Sequence, residues 1–183
     1  YALGQHEALR QAAAALHTDD FLCAFLDDVY IVTTKDRAAE AFRSVAHQIQ
    51  THAGVQTHLG KLEAWSPAGG LAPPGLDAIS TTAWKGTQAP DRNGITVLGA
   101  PLGTPEFVEA KIQERLAKEQ QLLEELPQLP DLQCSWALLL QSAVPRANHL
   151  LRLLPPKIAE PYARTHDEAL MHCLGRLLDM ETL

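Results

Sequence analysis

One stretch near the start of the chain constrains the fold more than any other. Residues 21–34 read FLCAFLDDVYIVTT: an apolar run, two adjacent carboxylates, and a second apolar run rich in β-branched and aromatic residues. This pattern predicts a strand, a tight turn that carries Asp27 and Asp28, and a second strand. Because strand residues alternate sides and a hairpin tip lies at the edge of its sheet, we expect the tip to present a carboxylate to solvent or to a metal ion.

The two adjacent carboxylates have two interpretations. Ionised carboxylates this close repel each other, and a divalent cation removes that cost; Mg²⁺ favours carboxylates together with substrate phosphates. Aspartate is also common in turns because its side chain hydrogen-bonds the local backbone. A second adjacent pair, Asp19 and Asp20, is interpreted as an ordinary polar turn ahead of the strand. Only Asp27 and Asp28 have strand-like sequence on both sides, and this makes them the candidate metal site.

Composition limits the class of protein. At 183 residues, with 46% hydrophobic and 20% charged residues, the chain resembles a soluble globular protein that can bury a core. The net charge of −7 counts against a simple nucleic-acid-binding module, which is usually basic, but not against an acidic part of a larger protein. Three widely spaced cysteines indicate a reducing, intracellular compartment, nuclear or cytoplasmic. No apolar stretch is long enough to span a bilayer, so we expect no membrane partner.

The predicted elements change in type once along the chain, near residue 104. Before it, helices at about 2–16 and 34–53 alternate with the hairpin and with short strands near residues 58–65, 84–86 and 94–103. The second helix has Thr34 or Asp36 as its candidate N-cap and is expected to end near Ala53–Gly54. After residue 104 the pattern is helical throughout, with Thr104 as an N-cap, Pro105 at the first helical position and Asp131 as a later cap. The buried stripe expected for the helix after Thr104 is Val108, Ile112, Leu116 and Leu123. We therefore predict an α+β domain over residues 1–103 and an all-helical domain over residues 104–183.

The order of these parts resembles the palm and thumb of reverse transcriptases of the non-LTR retrotransposon and group II intron type. FLDD, residues 25–28, is similar to the aromatic–x–Asp–Asp block of that family, and Lys61 in HLGKLEAW resembles the lysine of the following block. VLGAPLG, residues 97–103, resembles the primer-grip hairpin, and SAVPRANHLLRLLPP, residues 142–156, is similar to a thumb segment. The resemblance covers roughly residues 1–155. It implies a partial polymerase palm, an antiparallel sheet with helices on one face, followed by an all-helical thumb.

The resemblance also implies an activity, that of an RNA-directed DNA polymerase working by two-metal-ion catalysis. Asp27 is then the expected direct ligand of Mg²⁺ (or Mn²⁺), with Asp28 as a second or supporting ligand. Lys61 is expected near the leaving pyrophosphate as a general acid. The alternative for Lys61 is a solvated turn residue.

Nucleic acid is the implied partner: an RNA template and a DNA primer, with deoxynucleoside triphosphates as substrates. The primer terminus is expected to lie against a backbone whose small glycines suit a close approach. The residues concerned are Val97, Leu98, Gly99 and Gly103. Arg146 and Arg152 are candidate phosphate contacts, and solvated surface arginines are the alternative.

One departure from the family affects the expected activity. The family needs a third metal-binding aspartate on an earlier strand and a glycine-containing block after it, and neither occurs in this sequence. We expect these parts, the fingers and the rest of the palm to lie upstream of Tyr1 in a longer parent chain, so that the 183-residue chain alone is inactive. Two rival readings stay open. One is a non-catalytic remnant that serves as an interaction module. The other is an unrelated Mg²⁺-dependent phosphotransferase or nucleotidyl cyclase.

Overall fold

The computed structural model describes the backbone of residues 2–180 and the side chains of residues 6–180. The fold is α+β and mostly helical, with two small antiparallel sheets of two strands each. It divides into two compact units, Tyr1–Ala89 and Pro90–Leu183. The division falls before the hairpin near residue 100, whereas the sequence placed it after residue 103. The reason is that this hairpin packs on the helix that follows it.

The first unit is built from two helices and one hairpin. In chain order these are α1 (Ala2–Ala14), β1 (Phe21–Phe25), β2 (Asp28–Val32) and α2 (Ala38–Ala53). α1 and α2 pack together through small side chains, and Ala8, Ala12 and Ala39 are buried. α2 ends as predicted at Gly54, whose φ of 66° gives the left-handed conformation that glycine adopts after a helix.

The start of α2 differs from the prediction. The sequence favoured Thr34 or Asp36 as the N-cap of this helix. A 3-10 turn, Lys35–Arg37, instead precedes it, and Thr34 makes no side-chain capping hydrogen bond. Arg37 occupies the N-cap position of α2. Thr34 therefore marks the start of a short 3-10 turn and not the start of the α-helix itself.

The second half of the first unit has little regular structure. The short strands predicted near residues 58–65 and 84–86 amount to one parallel bridge between Ala64 and Trp84. A small core forms here from Leu76, Ala83 and Trp84. Together with the hairpin β1–β2, this bridge is all the β-structure described in the first unit. The sheet described in the first unit is thus antiparallel but has only two strands.

The loop over residues 66–75, rich in proline and glycine, is held in place by side chains from outside it. The Lys35 ammonium donates to the Gly69 carbonyl at 3.0 Å, and the Trp84 indole N–H donates to the Gly70 carbonyl at 2.9 Å. Lys35 also lies 5.0 Å from the centre of the Trp84 ring, within the range of a cation–π contact. These contacts tie the loop to the small core around Trp84.

The second unit opens with a hairpin and is helical after it. Its elements are β3 (Gly94–Val97), β4 (Ala100–Gly103), α3 (Pro105–Glu125), α4 (Leu132–Leu138), α5 (Asn148–Leu153) and α6 (Pro156–Leu177). The predicted caps are confirmed. The Thr104 hydroxyl accepts from the Phe107 N–H at 3.3 Å, and an Asp131 carboxylate oxygen accepts from the Gln133 N–H at 2.8 Å.

Between α4 and α5 the chain stays helical but becomes irregular. Leu139–Ala143 is a π turn and Val144–Ala147 is a 3-10 turn. Pro145 explains the irregularity, because proline lacks an N–H and its ring clashes with the carbonyl four residues earlier. The regular hydrogen-bond ladder of an α-helix therefore cannot pass through this segment.

The core of the second unit lies between α3, α6 and the helical segment that connects α4 to α5. One cluster is Val108, Ile112, Ala147, Leu150, Leu154, Ala159 and Tyr162, and the other is Leu123, Leu126, Leu139, Ala143 and Cys173. The predicted buried stripe of α3 is confirmed, with Leu116 partly buried beside the first cluster. No helix in residues 2–180 combines the length and the apolar character that a membrane crossing requires.

Candidate functional site

The hairpin β1–β2 reverses direction through two residues. Phe25 pairs with Asp28, which leaves Leu26 and Asp27 as the central residues of the turn. The predicted strand, tight turn and strand are confirmed, but Asp27 alone lies in the turn and Asp28 is the first residue of β2. Leu26 has a φ of 55°, in the left-handed region that leucine rarely adopts.

Both carboxylates at the tip are exposed to solvent. The Tyr30 hydroxyl donates to Oδ2 of Asp28 at 3.3 Å. Since Tyr30 and Asp28 are two residues apart on one strand, their side chains lie on the same face of the hairpin. The tyrosine thus orients one of the two carboxylates, that of Asp28.

The face that carries Asp28 is apolar and open. The strand register places Phe21, Phe25, Tyr30 and Val32 on this side, which we call the aromatic face. Phe21 is 59% exposed and Val32 63% exposed, whereas Leu22 and Ile31 on the opposite side are half-buried. An isolated two-stranded hairpin is only marginally stable in water, so its other face and its open end must anchor it.

The open end of this hairpin is anchored by Asp20, through an ion pair that was not predicted from the sequence. Asp20 directly precedes β1, and its side chain is only 2% exposed. It accepts from Nη2 of Arg37 at 2.8 Å, and this guanidinium holds the pKa of the Asp20 carboxyl below its ordinary value. The predicted turn is present, closed by the hydrogen bond from the Asp20 N–H to the His17 carbonyl at 2.9 Å, but the Asp20 side chain also forms a partly buried ion pair. The pairing spans 17 residues, and the local sequence contains no signal for it.

Lys61 lies in a 3-10 turn, Leu59–Lys61, and is exposed. In the part of the chain that the structure describes, its ammonium has no hydrogen bond or ion pair, and none joins it to Asp27 or Asp28. The geometry is that of a solvated turn residue. Its expected role as a general acid stays a prediction.

The second hairpin, β3–β4, also turns through two residues. Leu98 and Gly99 have φ values of 50° and 82°, as in a type I′ turn. The carbonyl of Leu98 lies 2.9 Å from Nε2 of His149 in α5; because a carbonyl can only accept, this ring nitrogen carries the proton. A Cβ on Gly99 would lie 3.0 Å from the same nitrogen, so Gly99 both allows the turn and leaves room for His149.

The base of this hairpin is packed against α3. A Cβ on Gly103 would lie 2.6 Å from Cδ1 of Phe107, and a Cβ on Gly94 would lie 2.3 Å from the same atom. The close approach expected at Gly103 is therefore made by a side chain of the same protein. Neither Gly94 nor Phe107 was singled out from the sequence, although paired glycines at the two ends of a hairpin are a usable signal for such packing.

The two candidate arginines follow α4 in the second unit. Arg146 lies in the 3-10 turn Val144–Ala147, where it is half-buried, and Arg152 lies exposed in α5. His149, between them in the chain, contacts the tip of β3–β4. The second unit thus brings together the predicted primer-grip residues and the segment that carries both arginines. Asp27, Asp28 and Lys61 belong to the first unit.

The two carboxylates at the hairpin tip match the number of protein ligands that Mg²⁺ commonly takes. Mg²⁺ keeps several waters and binds proteins through one or two carboxylates, completing its shell with substrate phosphates. Among residues 2–180 there is no group of three or more His, Cys, Asp or Glu side chains placed to hold a metal ion. Asp27 and Asp28 are therefore the donors available at this tip.

Compared with known proteins, the chain matches no family model, no curated protein and no solved structure. The functional interpretation consequently rests on the residues and their geometry.

Proposed function

We propose that this chain is part of a retrotransposon-type reverse transcriptase. In this proposal the hairpin β1–β2 carries metal-binding carboxylates of the palm, and the helical second unit is the thumb. The observation that carries the proposal is the hairpin tip: after an aromatic residue, Phe25, a two-residue turn ends in Asp27, Asp28 begins the next strand, and both side chains are exposed. A polymerase needs adjacent carboxylates in an accessible position, because its metal ions must also reach substrate phosphates.

Each carboxylate has a distinct role in this proposal. Asp27, at the turn, is the direct metal ligand, and Asp28, oriented by the Tyr30 hydroxyl, is the supporting ligand. When bound, Mg²⁺ or Mn²⁺ activates the primer hydroxyl and neutralises charge on the triphosphate. Lys61 donates a proton to the leaving pyrophosphate. Its exposed position leaves the ammonium accessible to a substrate.

The second unit binds the nucleic acid. The tip of β3–β4, through Val97, Leu98 and Gly99, lies along the DNA primer, and His149 fixes this tip relative to α5. Arg146 and Arg152 on the adjoining segment contact phosphates of the duplex formed by the primer and the RNA template. This arrangement is supported by the hydrogen bond that joins the tip to the arginine-bearing segment.

A polymerase of this type also needs a third metal-binding aspartate and fingers. Two carboxylates alone hold a divalent cation weakly until the remaining ligands and the substrate phosphates join them. The 183-residue chain alone is therefore inactive in polymerisation.

A second candidate function is favoured by a different observation. Phe21, Phe25 and Val32 are each more than half exposed on the aromatic face. Exposed apolar surface of this kind marks an interaction site in many soluble proteins. In this alternative the chain is a non-catalytic remnant of a reverse transcriptase, and the hairpin serves as an interaction module.

Metal binding at the tip is the first test. We would titrate Mn²⁺ into the ¹⁵N-labelled chain and record which amide signals broaden. We expect broadening that is strongest at residues 26–29 and decreases with distance from the tip, and its loss in the Asp27→Asn, Asp28→Asn double variant. The matched control is Asp19→Asn, Asp36→Asn, which removes the same charge from exposed positions and is expected to leave the broadening unchanged. Equal broadening around Asp19 and Asp36 would indicate non-specific attraction and argue against a site.

Primer extension on an RNA template with Mg²⁺ is the second test. We expect none from the 183-residue chain, and measurable extension would refute its proposed inactivity. A parent chain extended upstream should extend the primer and lose this activity in the Asp27→Ala, Asp28→Ala variant. A folded parent that is as inert as that variant would favour the interaction module instead.

A further inference from the structure

Three side chains of the second unit converge on one buried carboxylate. Glu119 on α3 is 3% exposed, and its Oε1 accepts from Nε of Arg115 at 3.0 Å and from the Tyr162 hydroxyl at 2.9 Å. Its Oε2 lies 2.9 Å from Nδ1 of His166. Tyr162 and His166 both belong to α6 and are 2% and 4% exposed. Because a buried carboxylate is costly without partners, this network fixes α6 against α3.

The same network reaches the irregular segment around Pro145. Nε2 of His166 lies 3.4 Å from the carbonyl of Val144, and Nη2 of Arg115 donates to the carbonyl of Arg146 at 3.2 Å. Both carbonyls belong to the 3-10 turn Val144–Ala147. Side chains from α3 and α6 therefore support a turn in which Pro145 interrupts the backbone ladder.

The contacts of His166 depend on its protonation. Nδ1 faces a carboxylate oxygen and Nε2 faces a carbonyl oxygen, and both of these partners can only accept. The imidazolium donates from both nitrogens, whereas a neutral ring has one N–H and loses one of the two hydrogen bonds. Deprotonation also removes the positive charge that faces the buried Glu119 carboxylate.

The other charged or titratable groups that face His166 come from α3 and from α6 itself. From α3 these are Glu119 and the Arg115 guanidinium, which is always protonated. From α6 it is Tyr162. Burial and, after it, the hydrogen bond to Glu119 raise the pKa of Tyr162 well above its ordinary value, so its hydroxyl stays a donor. The segment over residues 139–147 contributes backbone carbonyls to the network. Of the side-chain types in the network, only imidazole commonly changes charge between pH 5 and 8.

We propose that His166 is a pH-sensitive latch on the Val144–Ala147 turn. The imidazolium holds the turn against α6, and loss of its proton releases the turn. The turn carries Arg146 and leads into α5, where His149 contacts the Leu98 carbonyl. Release therefore also loosens the support of the β3–β4 tip. This proposal rests on the second unit's own contacts and does not depend on the proposed polymerase function.

Hydrogen exchange and imidazole NMR on the intact chain test the latch directly. The reporters are the Val144 N–H, bonded to the Leu139 carbonyl, and the Asn148 N–H, bonded to the Pro145 carbonyl. After correction for the intrinsic pH dependence of exchange, we expect their opening to increase roughly tenfold as pH rises, the effect of one lost charge-assisted hydrogen bond. The midpoint should equal that of the His166 ring titration. Opening that is independent of pH from about 5 to 8.5, or that has a different midpoint, would overturn the proposal.

Two variants on the same helix sharpen the test. His166→Gln removes the titrating ring, and we expect it to abolish the pH dependence of opening at Val144 and Asn148. His172→Gln is the matched control, because His172 is an exposed histidine of α6, and it should leave the pH dependence intact. Persistence of the pH dependence in a folded His166→Gln variant would contradict the latch. If His166→Gln does not fold, the agreement of midpoints in the wild-type chain still decides the question.

Discussion

The two hairpins have similar turns but different surroundings. Each reverses through two residues and begins its turn with a leucine at positive φ, Leu26 in one and Leu98 in the other. β1–β2 leaves its aromatic face open to solvent and is held at its open end by an ion pair. The base of β3–β4 packs on Phe107, and its tip contacts His149.

Glycine placement accounts for much of this difference. β3–β4 begins with Gly94 and ends with Gly103, which are opposite each other in the register, and the missing side chains make the space that the Phe107 ring fills. β1–β2 has bulky residues, Phe21 and Val32, at the equivalent pair. The glycines at the base of β3–β4 thus make room for a side chain of α3, whereas Phe21 and Val32 at the equivalent positions of β1–β2 are exposed.

The largest expected effect comes from filling the space at the base of β3–β4. In Gly103→Ala the new Cβ would lie 2.6 Å from Phe107 and 2.7 Å from the Asn93 carbonyl, so backbone must move. We expect a loss of about 3 kcal/mol in the free energy of unfolding of the second unit, measured by urea denaturation. Gly175→Ala is the control, because its Cβ would meet the Met180 carbonyl oxygen at 3.6 Å, an ordinary van der Waals distance. A loss below about 0.5 kcal/mol for Gly103→Ala would mean that the packing at this hairpin is loose.

An intermediate effect is expected at the open end of β1–β2. Asp20→Asn leaves the Arg37 guanidinium without its carboxylate, and we expect a loss of about 1–2 kcal/mol, moderated because the Arg37 side chain is 31% exposed. Asp19→Asn, at a side chain that is 77% exposed, is the control and should cost less than about 0.5 kcal/mol. Equal effects of the two substitutions would show that the ion pair does not anchor the hairpin.

The pH dependence of the same pair has a definite sign. Arg37 lowers the pKa of folded Asp20 below its ordinary value of 3.8. The pair therefore stabilises the fold fully above the pKa of the unfolded chain, and this stabilisation is lost as pH falls through the lower folded value. The difference in unfolding free energy between wild type and Asp20→Asn should be constant near neutral pH and shrink below about pH 4. A difference that grows on acidification would contradict this assignment.

Local patterns in the sequence predicted the elements whose causes are local. The strand pattern around Asp27 and Asp28, the capping residues Thr104 and Asp131, and the glycine at the end of α2 each act within a few residues, and the structure confirms all of them. The hairpin tip could therefore be recognised as a candidate site without any structure.

Features that depend on distant partners could not be predicted in this way. Asp20 and Asp27 each belong to a pair of adjacent aspartates, but of these two residues only Asp20 forms an ion pair with an arginine. His166 appears in the sequence as one of eight scattered histidines, and Glu119 lies 47 residues before it. The short strands predicted near residues 58–65 and 84–86 are reduced to one bridge for a related reason, since a strand needs a neighbour and, of the described residues there, only Ala64 and Trp84 pair.

The smallest expected effect separates turn strain from hairpin packing. Leu98→Asn should stabilise the second unit by about 0.5–1 kcal/mol, because asparagine followed by glycine suits a turn in which both φ values are positive. Leu26→Gly should stabilise the first unit by a similar amount, since glycine adopts a positive φ without strain, and melting temperatures provide the measurement. Leu71→Asn is the control, being 84% exposed and outside either turn.

The comparison between the two turn variants is informative whichever way it comes out. Equal gains in stability would mean that both leucines keep a positive φ only because the paired strands on either side impose the conformation of the turn. A gain at Leu98 without a gain at Leu26 would mean that the Leu26 side chain, although 73% exposed, contributes contacts that offset its backbone strain. Strained backbone persists where the surroundings enforce it, and it is often found at functional sites. If Leu26→Gly stabilises the hairpin and also weakens Mn²⁺ binding at Asp27, the strained turn serves to hold the carboxylates in a binding geometry.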